Sequence, residues 1–562
     1  MTTLSAMPFH QAKSRGMSRL VFSVAPLVII ALFSVPILTV LTNLLRQDQG
    51  TLAHLLETVF VSYIVNSFVL LIGVVVGTCA VGVGAAWLIV SFRFPGRKVF
   101  EWALVLPLAI PAYIMGYAYA DFFQSAGVVQ TMLRQITGWS LRDYWFPDIR
   151  SLGGAVLIFV VALYPYVYLL ARAAFLDQSA SAMEVARTLS RNSWRSFFHI
   201  ALPLARPALA AALTLVAMET LADYGVVDYF GIPTLTVGVY RAWFSMGDHI
   251  ASAQLASFLL LFIGMLILCE RLARGQRRFH GNSRRHTEVS GKTIKGGKAI
   301  LASLACFVPL FFGFLLPILI LLRLTFLVGD AQFGYRYIIL IGNSVRLAAM
   351  VAVLAVVLAV LLVYGRRLYP KGLNKVGVIF AGLGYAIPGS VIAVGVLLPF
   401  AWTDNAIDAF ARQHFGLSTG LILTGSLTAL VAAYLVRFLA IAVQTVDAGF
   451  TKISPAMDDA ARVLGAHEWR RLWQVHRPLL RRSVMTAGLL VFVDAIKELP
   501  ATMILQPFNF STLAVQAHKL ASDERLAEAS TAALVIVLVG LLPVVLIARN
   551  MAATRNIPRI LE

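Results

Sequence analysis

Long apolar runs constrain this chain before anything else does. A segment in hydrocarbon must satisfy its own backbone hydrogen bonds, and about 20 consecutive apolar residues suffice for a helix to cross. Hydropathy marks about twelve such runs. They lie near 20–43, 64–90, 100–122, 152–175, 204–228, 250–270, 298–327, 343–364, 375–401, 418–444, 479–504 and 526–548. None alternates with period two, so a β-barrel does not fit. With 59% hydrophobic and 13% charged residues, the chain lies far from soluble globular composition. The expected fold is an all-α polytopic membrane protein.

The net charge of +20 reflects orientation. Lys13, Arg15 and Arg19 precede the first run, Arg93, Arg97 and Lys98 follow the second, and Arg549, Arg555 and Arg559 follow the last. If the spans alternate, these clusters fall on one side, the cytoplasmic side by the positive-inside rule, and both termini lie there too. No basic face with readout elements is present, so nucleic acid is not an expected partner. Cys79, Cys269 and Cys306 are dispersed and form neither a disulfide framework nor a metal-ligand spacing. The first run lacks a small-x-small cleavage site and reads as a retained span.

The chain repeats itself. Glu184-Val185-Ala186 is followed by Ser190, Trp194-Arg195 and Pro203. Asp459-Ala460-Ala461 is followed by Gly465, Trp469-Arg470 and Pro478, 275 positions on. Asn66-Ser67 returns as Asn343-Ser344 and Pro111 as Pro388, 277 positions on. Glu219 and Asp223 return as Asp494 and Glu498, 275 positions on. Ordered landmarks at nearly one offset indicate duplication. Each half takes six runs, an even number, so the halves are parallel. The expected organisation is a first half over 1–270 with its loop at about 177–203, a basic Gly/Ser-containing linker over 271–297, and a second half over 298–562 with its loop at about 450–478.

Each loop has a mechanical logic. An acid near a helix start suits the macrodipole. Gly465 permits a turn between short helices, which Ser190 does at some steric cost. Pro203 and Pro478 suit the first turn of the next helix, and a Trp beside an Arg offers an anchor to a partner's groove. The alternative is an ordinary polar connection between spans.

This doubled pattern resembles the EAA loop of binding-protein-dependent ABC importer permeases. The resemblance implies that Glu184, Ala186, Ser190, Trp194, Arg195, Pro203, Asp459, Ala460, Ala461, Gly465, Trp469, Arg470 and Pro478 meet the ATPase subunits. It extends to Leu221-Ala222-Asp223-Tyr224-Gly225 through Thr234, Val239 to Trp243, Lys497 to Thr502, and Leu520 to Arg525. These stretches look like ferric-iron permeases with both halves fused. That family implies a type I importer permease in a bacterial inner membrane, a homodimeric ABC ATPase and a periplasmic or extracellular Fe(III)-binding protein. Thiamine, polyamine or phosphonate permeases share the architecture.

The chain does not supply the energy itself. A phosphate-binding loop needs GxxxxGK[ST]. The only Gly-Lys-Thr, residues 291–293, has His286 where the first glycine belongs. ATP and Mg are therefore expected on the partner, and this chain is expected to bind no cofactor and catalyse no reaction. No HExxH or nucleophile elbow suggests an embedded enzyme.

Glu219 and Asp223, four apart, would share a helix face, as would Asp494 and Glu498 beside Lys497. Intramembrane charge is costly and tends to face a bundle interior or water. With Tyr224, these residues are candidates for a pathway or gate, with interhelical structural pairing as the other reading. They also suit a proton-coupled secondary transporter, which leaves the loops unexplained. Carboxylate and phenolate oxygens suit a hard cation. A permeating ion must also leave, however, and no residue is assigned as a metal ligand.

Overall fold

A computed structural model describes residues 8–177, 197–274, 292–326, 334–370 and 372–553. Among these, the only strand pairing is a two-residue parallel bridge, Phe92–Arg93 with Lys292–Thr293. All else of regular structure is helical. Among the described residues, ten helices are long and apolar enough to cross a membrane, or eleven if one bent pair counts as a span. The count of twelve is not recovered, for two physical reasons.

Prolines account for the first. The third run of each half breaks at the landmark proline. The first-half pair, Arg97–Ala109 and Ala112–Thr137, bends by 90°. Pro111 sits at φ −58° and ψ 144°, and Pro388 at φ −57° and ψ 144°. A residue before proline avoids the α region, and Ile110 and Ile387 are both extended. The duplicated halves thus repeat this break almost to the degree. Charge accounts for the second. The run at 479–504 becomes the helix Arg477–Lys497, whose first turns carry Arg477, Arg481 and Arg482. It falls short of a span by composition.

By packing, the chain forms two compact units, Met1–Gln47 with Tyr335–Thr512, and Asp48–Gly334 with Leu513–Glu562. In the first unit, helix Pro8–Thr42 lies against Leu373–Leu383 and Gly389–Phe415. The approach is close enough that a Cβ on Gly395 would meet the Pro36 carbonyl at 2.6 Å. Helices Tyr335–Leu368, Thr428–Phe450 and Arg477–Lys497 pack mutually. The second unit has the matching triple, Phe60–Ser91, Leu152–Asp177 and Leu202–Ala222. Its final helix, Leu526–Ala553, packs on Leu316–Phe326. The repeat divides the chain near its middle, whereas packing assigns each terminal helix to the unit built mainly from the other half.

The repeat is also visible in hydrogen bonds within each unit. Asn66 Nδ2 donates to the Pro233 carbonyl at 3.0 Å, and Asn343 Nδ2 to the Ser511 carbonyl at 3.3 Å. Many large apolar side chains on the spans stay exposed, among them Val61, Ile300 and Ile338. A soluble surface of this kind would aggregate, whereas lipid tails accept it.

Candidate functional site

The second repeated loop lies wholly within the first unit. Ser454 Oγ accepts from the Ala456 amide at 3.3 Å, Pro455 opens helix Pro455–Val463, and Asp458 occupies its first turn. These are the residue types that satisfy a helix N-terminus. The helix ends in a Schellman motif. The Gly465 amide donates to the Arg462 carbonyl at 3.0 Å, and the Ala466 amide to the Ala461 carbonyl at 2.9 Å. That motif puts Gly465 at φ +78°, a left-handed conformation in which any other residue is strained. Ala461 is buried. Asp459, 3.5 Å from Arg462, and Ala460 are exposed. Met457 is exposed in the first turn of the helix, and Val463 and Leu464 are exposed at its end.

Helix Glu468–Arg471 follows, capped by His467 Nδ1, which accepts from the Arg470 amide at 3.2 Å. A π-turn, Leu472–His476, leads into Arg477–Lys497, with Pro478 in its first turn. Trp469 is half-buried and stacks on Phe22 at 5.5 Å, so its ring is already engaged within the unit. Trp473, four residues on, is the exposed indole, with the Arg477 guanidinium 4.7 Å from its centre. Arg470 is exposed and donates to Gln474 Oε1 at 2.9 Å.

A polar cluster underlies this loop. Arg367, near the end of Tyr335–Leu368, donates through Nε to Asp458 Oδ2 at 2.6 Å. Its Nη1 reaches the Phe450 carbonyl at 2.9 Å and its Nη2 the Ile453 carbonyl at 2.8 Å. Tyr364 donates to the Glu468 carbonyl at 2.7 Å and Tyr369 to Glu468 Oε1 at 2.9 Å. Arg366 pairs with Asp447. His476 is fully buried, with Nε2 2.7 Å from Asp458 Oδ1. Burial pushes the His476 pKa below its ordinary value of 6.5, against the opposing pull of Asp458. Sequence reasoning missed Arg367, Asp458 and His476. Their signal is subtle, namely polar residues whose counterparts in the other half are apolar.

In the first half, Glu184, Ala186, Ser190, Trp194 and Arg195 lie outside the described residues. Pro203 is described, in the first turn of Leu202–Ala222, after a π-turn at Phe197–Ala201. The two π-turns are themselves 275 positions apart. Beneath them Trp87 packs against Phe175 at 5.6 Å and Phe197 at 5.1 Å, as Tyr364 packs against Phe450 at 6.0 Å.

The acid pairs take matching places in the two units. Asp223 stands one residue past helix Leu202–Ala222, and Glu498 one past Arg477–Lys497, both with extended backbone. Asp223 Oδ1 accepts from the Val226 amide at 2.8 Å, and Glu498 Oε1 from the Ala501 amide at 2.9 Å. Each acid therefore ends one helix and anchors the start of the next. Glu498 is buried, 3.4 Å from Arg437 Nη1. That pair crowds Gly389, just past the Pro388 break, where a Cβ would lie 2.7 Å from Glu498 Oε1. Glu219, Asp494 and Lys497 are half-buried, and Tyr224 stacks on Tyr240 at 3.7 Å. In the second unit Tyr117 Oη lies 2.6 Å from His518 Nδ1, and Arg150 joins Glu524 to the Tyr229 hydroxyl. Among the described residues no group of three or more His, Cys, Asp or Glu is placed to hold a metal.

These features agree with the relationships of the sequence. The family described as "Binding-protein-dependent transport system inner membrane component" matches twice, over residues 79–277 and 364–555. The Fe(3+)-transport system permease protein FbpB 2 of Haemophilus influenzae is 24% identical over 540 residues, covering 93% of this chain and 97% of that one. The molybdenum transport system permease protein ModB of Escherichia coli is 30% identical over 204 residues, covering 35% of this chain and 86% of its own. The putative 2-aminoethylphosphonate transport system permease protein PhnU of Salmonella choleraesuis is 24% identical over 260 residues, covering 44% of this chain and 90% of its own. Two copies of one family domain, with loops, broken third spans and acid-ended fifth spans in register, make this chain a fused two-half member of the binding-protein-dependent inner membrane component family, the permease subunit of an ABC importer.

Proposed function

We propose that this permease moves ferric iron, delivered by a soluble Fe(III)-binding protein, across a bacterial inner membrane into the cytoplasm. One observation carries the substrate. Likeness to a relative named for Fe(3+) transport runs through both fused halves, while likeness to the molybdenum and phosphonate relatives spans less than half of this chain. ATP and its Mg are bound by a separate homodimeric ATPase, which docks on the two repeated loops. In this reading Asp459, Ala460, Ala461 and Gly465, with Glu184, Ala186 and Ser190 in the other half, shape the contact. Met457, Val463 and Leu464 supply exposed apolar area for it. Both termini and both loops lie on the cytoplasmic side, where the basic residues cluster.

Glu219, Asp223, Tyr224, Asp494, Lys497 and Glu498 line or close the path. Asp223 and Glu498 sit where one helix ends and another starts, so a change in either helix moves the acid. Selectivity rests mostly with the binding protein, because a permease must release what it passes.

The test is uptake of radiolabelled ferric iron into proteoliposomes holding the permease, its ATPase and the binding protein. Uptake that requires all three, and that molybdate, thiamine and phosphonates leave unaffected, supports the reading. ATP hydrolysis stimulated only by a binding protein loaded with another solute replaces iron and keeps the importer. Uptake independent of the ATPase rejects the coupling role of the loops.

A further inference from the structure

We propose that Arg367 is a positioning residue that gives the second coupling loop a mechanical link to a helix not adjacent to it in the chain, built from residues whose sequence counterparts in the other half cannot ionise. This rests on the loop docking an ATPase, as proposed above.

In sequence the second loop joins Thr428–Phe450 to Arg477–Lys497. The shortest path for a push on the loop therefore runs into those two helices. Arg367 adds a third, Tyr335–Leu368. Its guanidinium is planar with five fixed donors, and each of its three nitrogens makes one contact here. One goes to Asp458 in the first turn of the loop helix, and two go to the Phe450 and Ile453 carbonyls where the preceding span ends. The Phe450 carbonyl is the last of its helix, and Ile453 lies three residues beyond it, where intrahelical partners run out. The same helix end grips the loop again, since the Tyr364 hydroxyl donates to the carbonyl of Glu468. Tyr335–Leu368 therefore holds both short helices of the loop, one through Asp458 and one through Glu468.

The duplication provides an internal control. The repeat's offsets place Trp87, Val90, Met183, Ser193 and Ala201 where Tyr364, Arg367, Asp458, Glu468 and His476 stand. No counterpart can ionise. For Trp87 and Tyr364 the equivalence is visible in space, because Trp87 meets Phe175 as Tyr364 meets Phe450. All the charged members are replaced together, as expected of groups that work as one unit, since a lone survivor would be a buried charge without a partner. Hydrogen-bonded forks fix direction, while apolar contacts resist separation but not sliding. The second loop accordingly transmits ATPase closure rigidly and through three helices.

Three variants test this in the complete complex of permease, ATPase and binding protein: Arg367→Val, Arg367→Lys, and the triple Arg367→Val/Asp458→Met/His476→Ala, which installs the first-half residues. In Arg367→Val, amide exchange across 455–471 should quicken about tenfold or more. Iron taken up per ATP hydrolysed should fall about threefold or more. Arg367→Lys keeps the charge but lacks the fork, and should fail in the same sense. The triple, which removes the stranded acid but also lacks the fork, should fail in the same sense. Unchanged exchange and coupling in Arg367→Val, or full recovery of both in the triple, overturns the proposal. ATPase co-purification with Gly465→Asp separates the two readings: normal attachment there rejects ATPase docking on the loop, while the exchange measurement still judges the Arg367 anchor.

Discussion

The bases of the two repeated loops share a backbone plan and differ in chemistry. In the first half Trp87, Phe175 and Phe197 form a buried aromatic contact. In the second, Tyr364 and Phe450 keep that contact, but Arg367, Asp458 and His476 are added around it. Duplication preserved what the backbone needs, namely the π-turn, the proline after it and the broken third helix. It left free what joins the elements. Aromatic burial stabilises through area and is indifferent to direction, whereas an ion pair with a fork of hydrogen bonds is specific but costs desolvation. The aromatic contact of the first base is thus a packed joint and its counterpart a bolted one, while the first half's own ion pair, Arg172 with Glu101, ties a different helix, Arg97–Ala103.

The largest effect expected from this contrast is in the packed joint. Trp87→Ala removes a buried indole and should destabilise the second unit by about 3–5 kcal/mol, read by chemical denaturation in detergent. A loss as small as that of a surface substitution would mean that the aromatic contact does not hold the first base. Next comes the bolted joint. Asp458→Ala leaves Arg367 with two of its three contacts and no counter-charge, and should cost about 2–3 kcal/mol, because the pair is shielded but not fully buried. Asp458→Asn, which retains an acceptor, should recover part of that in the same measurement.

A smaller effect is expected at the loop turn. Gly465→Val forces a β-branched residue into the left-handed region and should cost about 1–2 kcal/mol. If the turn shapes the docking surface, ATPase affinity in detergent should weaken about tenfold. Ser190→Gly in the other loop should not weaken it. The smallest effect is a pH dependence confined to the second base. The His476 pKa is depressed in the folded protein, so its contribution is complete above 6.5 and is lost as pH falls through the folded value. Denaturation midpoints measured from about pH 7 down to about pH 5 should fall in the native protein and fall less in His476→Gln. Equal slopes would mean that burial does not set the charge of this ring.

Much of the molecule is legible in the linear chain. Apolar runs give the class and most spans, because length and hydropathy decide insertion locally. Pro111 and Pro388 stand out as landmarks, yet hydropathy alone draws an unbroken span through each, although proline rules point to a break. Gly465 is readable because a left-handed turn demands a residue without Cβ. Trp469 looks like a free side chain in sequence, whereas it is half-buried and stacked on Phe22. Its neighbour Phe22 lies in the first helix, and no local pattern connects positions so far apart. The spacing of Asp223 and Glu498 suggests helix faces shared with Glu219 and Asp494. Both instead lie just past the helix ends, anchoring the next helices.

The membrane class, the duplication and the turn chemistry of the loops follow from the linear chain, because hydropathy, offset and φ preference each act over a few residues or along one line. Which helices share a unit is a matter of tertiary packing, which places the first helix in the unit of the second half and the last in that of the first. Packing alone brings Arg367 to Asp458, 91 residues away. Burial and the reach of a guanidinium depend on distances in space, and a linear pattern does not carry them.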